Sequence, residues 1–65
     1  MKYKGTLNLE WTDGSECFAE VSVEGKTHEA YAIFQWICRG ALMASNAQFA
    51  TVFNEEGFEI CKYQQ

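Results

Sequence analysis

The stretch His28–Ser45, HEAYAIFQWICRGALMAS, decides the fold. It is the one run in the chain whose apolar residues recur at helical rather than alternating spacing. Thr27, just before it, is a candidate N-cap, and Glu29 suits the positive end of a helix. Asn46 can take the left-handed conformation that ends one. At ~1.5 Å per residue the helix is ~27 Å long, enough to lie along a strand of about ten residues. Ala30, Ile33, Phe34, Ile37, Ala41 and Ala44 form one stripe, flanked by Tyr31, Cys38 and Leu42. The opposite side of an ordinary surface helix is charged. Here it carries Ala32, Trp36 and Met43 beside Arg39 and Gly40, and a glycine lets another backbone approach closely.

Alternating runs lie on both sides of this helix. In Tyr3–Trp11, Tyr3, Leu7, Leu9 and Trp11 share one face, and Lys4, Thr6, Asn8 and Glu10 share the other. In Cys17–Glu24, Cys17, Ala19, Val21 and Val23 oppose Phe18, Glu20, Ser22 and Glu24. The Asp13-Gly14 pair between them signals a hairpin. A two-residue loop there would pair Leu9 with Phe18 and put the apolar faces on opposite sides, burying Glu20 and Glu24. The faces therefore require an odd loop, such as Asp13-Gly14-Ser15, or a bulge.

Beyond the helix, Gln48–Phe53 and Phe58–Tyr63 read as a second hairpin. Gly57 stands where a three-residue loop needs positive φ. That loop sets Val52 against Ile60, Thr51 against Cys61 and Phe49 against Tyr63. Ala50, Val52, Phe58 and Ile60 then share one face, and Phe49, Thr51, Phe53, Cys61 and Tyr63 the other. The order β-β-α-β-β predicts an α+β fold: a four-stranded antiparallel sheet with the helix packed on one face. Strand order stays open at this level. With no proline, repeat or linker, residues 1–65 read as one domain.

Composition narrows the function. A net charge of −4, with Lys2, Lys4, Lys26, Arg39 and Lys62 dispersed, argues against direct nucleic-acid binding. Cys17, Cys38 and Cys61 are odd in number and widely spaced, and they read as free, mostly buried thiols in a cytoplasmic protein. With His28 they lack the close pairs of a zinc site, so no metal or cofactor is expected. Ala30–Cys38 is too short and too polar to span a bilayer, and no membrane partner is expected. His28 is the one histidine, the serines sit in no nucleophile motif, and no catalytic residue is assigned; the expectation is that the chain is not an enzyme. A Cys17 or Cys38 pair with His28 is the one nucleophilic arrangement that spacing leaves open.

The apolar side chains outnumber the places where one helix and one sheet can hide them. The surplus points to contact with another protein, through Ala32, Trp36, Arg39, Gly40 and Met43 on the helix or Phe49, Phe53 and Tyr63 on the second hairpin. Self-association would also stabilise so small a core. Glu10, Glu16, Glu20 and Glu24 predict an acidic patch that steers the chain to a basic partner. In general character the chain is similar to small proteins of phages and mobile elements that bind and block a host defence or regulatory protein. The likeness is carried by size, acidity and lack of proline, not by any one segment. The expectation is a protein-binding inhibitor or adaptor, homodimeric in form. The alternative is a small-ligand binder with an aromatic pocket at a dimer seam, where Arg39, Tyr63 and Thr51 supply the polar groups.

Overall fold

The computed structural model describes Met1–Gln65. Its elements run β1 (Lys2–Glu10), β2 (Glu16–Glu24), α1 (Thr27–Ser45), β3 (Phe49–Asn54) and β4 (Glu59–Gln64). All neighbouring strands are antiparallel, in the order β2-β1-β3-β4. The strands β2 and β3 thus run parallel to each other, with β1 between them and α1 crossing over from one to the other. The expected α+β architecture is what the chain adopts.

Alternation settles the first turn. Leu9 lies opposite Cys17 and Leu7 opposite Ala19. The loop is the odd one Thr12-Asp13-Gly14, closed by Trp11 N–H donating to the Ser15 carbonyl at 2.9 Å, with Gly14 at φ 88. Asp13 Oδ1 accepts from Ser15 N at 2.9 Å, and the serine hydroxyl bonds the same oxygen, holding the Asp13 carboxyl below its ordinary range. The second turn is the three-residue loop Glu55-Glu56-Gly57, with Gly57 at φ 90 and Asn54 N–H donating to the Phe58 carbonyl at 2.8 Å.

Past that turn the expected pairing fails. Phe53 still faces Glu59, but a β-bulge at Val52/Phe53 shifts the rest by one residue. Val52 then faces Cys61, Ala50 faces Tyr63 and Thr51 faces Lys62. Because side chains alternate, the slip moves Cys61 and Tyr63 to the helix side, away from Phe49, Thr51 and Phe53. Phe58, expected to share the face of Ala50 and Val52, stands at the turn, 66% exposed.

The core lies between α1 and the sheet: Ala30, Phe34, Cys38 and Leu42 from the helix; Leu7, Leu9, Val23, Ala50 and Val52 from the strands; and Ala47 from the connection. The buried helix stripe is therefore i, i+4, i+8, i+12. Ile33 and Ala44, expected inside, are exposed, and the flanking Cys38 and Leu42 are buried instead. Interactions at the far end of the helix favour this rotation. Trp11 Nε1 donates to the Ser45 carbonyl at 3.1 Å, and Gln65 Nε2 donates to the Leu42 and Ala47 carbonyls at 3.1 Å. The Ser45 and Leu42 carbonyls are among those that a helix end leaves free, and Ala47 lies just past the cap. Asn46, at φ 60 and ψ 26, closes the helix as its left-handed cap. At the other end the N-cap is Lys26, which offers no side-chain cap. Thr27 is not the cap but the first helical residue, and its hydroxyl is hydrogen-bonded to the Tyr3 hydroxyl at 2.7 Å.

Candidate interaction surfaces

One helix covers one side of the sheet, which leaves two surfaces facing away from the core. The first is the outer face of α1. Glu29, Ala32, Ile33, Trp36, Arg39, Gly40 and Met43 all lie on it and are all exposed. Trp36 is 79% exposed and Met43 75%, so neither packs over a neighbouring loop. Trp36 stands as a ridge between two shallow grooves. One, of about 400 Å³, is lined by Glu29, Ala32, Ile33 and Trp36; the other, of about 240 Å³, by Trp36, Arg39 and Met43. Nothing lies within 4 Å of where a Cβ on Gly40 would stand. The helix brings few charges to this face. Glu29 has only the adjacent His28 as an ion-pair neighbour, at 3.8 Å, with its carboxylate lying beside Gly25, and Arg39 has no acidic partner.

The second surface is the side of the sheet away from α1, reached by the side chains that alternate with the core residues. Its central row is Phe18, Asn8, Thr51 and Lys62; above it run Glu16, Glu10, Phe49 and Gln64, and below it Glu20, Thr6, Phe53 and Glu59. Asn8 and Thr51 are only 3% exposed although no helix covers them. Phe18 and Lys62 flank them in the same row and Phe49 and Phe53 stand in the rows on either side, with Lys62 Nζ 4.9 Å from the Phe49 ring centre. Asn8 Nδ2 is 3.5 Å from Glu16 Oε2. All four predicted acidic residues, Glu10, Glu16, Glu20 and Glu24, stand on this face, with Glu10 directly across from Glu16. Together with Glu59 they outweigh Lys2, Lys4 and Lys62, so the apolar patch sits inside an acidic rim.

The predicted anchors thus divide. Ala32, Trp36, Arg39, Gly40 and Met43 come together on α1, while Phe49 and Phe53 come together on the far side of the sheet. Tyr63 joins neither group. The β4 bulge turns it toward the helix side, where it is half-buried with the Arg39 guanidinium 5.8 Å from its ring centre. For the same reason Arg39, Tyr63 and Thr51 do not line a common pocket. Phe18, 62% exposed, belongs to the sheet patch and was not singled out from sequence. A lone aromatic among Glu16, Glu20, Ser22 and Glu24 on the polar side of a strand was the available signal.

The thiols do not assemble a nucleophilic site. Cys38 is buried, and its Sγ donates to the Ala50 carbonyl at 3.1 Å. Burial first, then the neighbouring Cys61, pushes its pKa up to about 12. Burial also raises Cys61. His28 lies ten residues earlier on the same helix, about 15 Å along the axis. Cys17, expected to be largely buried, is exposed on edge strand β2, at the end of the sheet near the Trp11–Ser15 turn. No three His, Cys, Asp or Glu side chains converge as a metal site would require. No helix is long and apolar enough to cross a membrane.

By architecture the chain is a split β-α-β unit extended by a fourth strand. No protein-family model, curated protein or solved structure matches it.

Proposed function

We propose that this chain is a non-enzymatic protein-binding module, an inhibitor or adaptor that self-associates and engages a basic partner protein. One observation carries the reading: the uncovered side of the sheet holds Phe18, Phe49 and Phe53 within a rim of glutamates. A free surface built for water alone would not gather three phenylalanines around a dry Asn8–Thr51 pair. Aromatic residues supply contact area, and the acidic rim selects a basic surface and speeds encounter with it. Blocking a basic functional groove on a host protein is the inhibitory role that fits this face.

The test is capture from cytosol on immobilised protein, comparing wild type with Phe18→Glu, Glu20→Lys and Trp36→Ala. The reading expects a basic protein retained by wild type and Trp36→Ala, lost with Phe18→Glu, and weakened by Glu20→Lys. Phe18 and Glu20 are exposed on edge strand β2, so their substitution leaves the core intact. A partner held equally by Phe18→Glu and Glu20→Lys would overturn it.

A further inference from the structure

We infer that the outer face of α1 pairs with the same face of a second copy, antiparallel, with Glu29 of each chain opposite Arg39 of the other. The inference rests on the self-association in the proposed function and specifies its seam. Two independent features agree on one register. Glu29 and Arg39 are the two groups of the outer helix face with opposite charge, and neither is neutralised by an opposite charge other than the adjacent His28. They lie ten residues apart, about 15 Å along the axis. A two-fold axis at the level of Phe34 sets each Glu29 against an Arg39, twice per dimer.

The same axis sets Trp36 of one chain against Ala32 of the other. Ala32 is the floor of the groove lined by Glu29, Ala32, Ile33 and Trp36. The indole therefore enters a groove whose floor is the Ala32 methyl group, too small to block it. Every contact occurs twice, as a two-fold interface requires. Helices that cross at about 20° stay close enough to antiparallel to keep both charge pairs in reach. Arg39 can keep its place over the Tyr63 ring, 5.8 Å from its centre, because a guanidinium stacks with its face and donates with its edge. The glutamate rim of the sheet makes that side repel its own copy, which leaves the nearly uncharged helix face as the self-pairing one. A seam one helix wide is smaller than the ~800 Å² per partner of a standard interface. The dimer consequently dissociates on dilution.

Sedimentation velocity from about 1 µM to about 1 mM, spanning weak to moderate association, tests this with charge reversals. Wild type is expected to show a concentration-dependent dimer. Glu29→Arg and Arg39→Glu alone each place like charges together at two points and should weaken it about tenfold. An equimolar mixture of the two single variants restores both pairs and should form a heterodimer as tight as wild type, as should the double reversal in one chain. Trp36→Ala, at a residue 79% exposed and so neutral for folding, should also weaken the dimer. A wild type that stays monomeric throughout the range overturns the inference. So do single reversals that dimerise undiminished, or a mixture that fails to recover. A dimer abolished by Phe18→Glu but not by Trp36→Ala would move the seam to the sheet and overturn it as well. Loss of the dimer with salt-sensitive partner capture intact would leave the sheet-face reading standing.

Discussion

Gly5 is a residue whose role lies in what it lacks. A Cβ there would come 2.8 Å from the Phe53 carbonyl oxygen and 3.4 Å from Phe34 Cε1. A backbone oxygen in a sheet ladder cannot move aside cheaply, so Gly5→Ala forces β1 from β3 or from the helix. It is expected to destabilise by about 1–3 kcal/mol, read as a lower urea midpoint. The Cys38 thiol makes a second prediction. Its pKa in the folded chain is about 12, against an ordinary 9.0. Below pH 9 folded and unfolded chains both hold the proton, and this group's contribution is complete. Between 9 and 12 the unfolded chain releases the proton while the folded chain keeps it, so stability falls as pH rises. Melting temperatures of wild type should drop more steeply across that window than those of Cys38→Ala. Parallel curves would show that the thiol ionises equally easily in both states.

Among the elements, α1 is unevenly finished. Its last turn is closed by Asn46, Trp11 and Gln65, but its first turn begins at Lys26 with φ −78, ψ 158 and no side-chain acceptor. That extended backbone is the geometry an N-cap needs. Lys26→Ser is therefore expected to stabilise by roughly 1 kcal/mol and raise the melting temperature by about 4–8 °C. An unchanged melt would mean the first-turn N–H groups are already satisfied by water. At this scale some features were readable and others were not. The odd first loop followed from alternation, because any even loop would have buried Glu20 and Glu24. The β4 bulge did not, because one extra residue leaves the local pattern of Phe58–Tyr63 unchanged and appears only when β4 is laid against β3. The helix stripe was off by roughly 70° of rotation; Cys38 and Leu42 take inner positions where the Cys38 thiol meets the Ala50 carbonyl of β3 and Gln65 reaches the Leu42 carbonyl, and both contacts are between residues distant in sequence.

For the molecule as a whole, a single helix over a four-stranded sheet makes a thin body, 37 × 20 × 14 Å, with two outward faces of different character. The helix face is nearly neutral, and the sheet face is acidic. Their salt responses should differ. Partner capture through the sheet face should weaken from 50 to 500 mM salt, with the Debye length shrinking from about 14 to about 4 Å. The helix-to-helix dimer, dominated by Trp36 in an apolar groove, should change far less. Binding and sedimentation repeated across that salt series check both, and capture that strengthens with salt would contradict a charge-selected partner. The surplus of apolar side chains was legible in composition and periodicity. Its division between two opposite faces was not.

Local pattern by itself determined the elements, their order and the surplus, because periodicity and turn chemistry act within a few residues. It also determined which face of the first hairpin turns inward, since burying glutamates costs too much. Only the tertiary structure decided the order β2-β1-β3-β4, the bulge that turns Tyr63 and Cys61 inward, and the gathering of Phe18 with Phe49 and Phe53 across three strands. Those outcomes depend on which strands become neighbours, and contacts between residues distant in sequence leave no periodic trace in the chain.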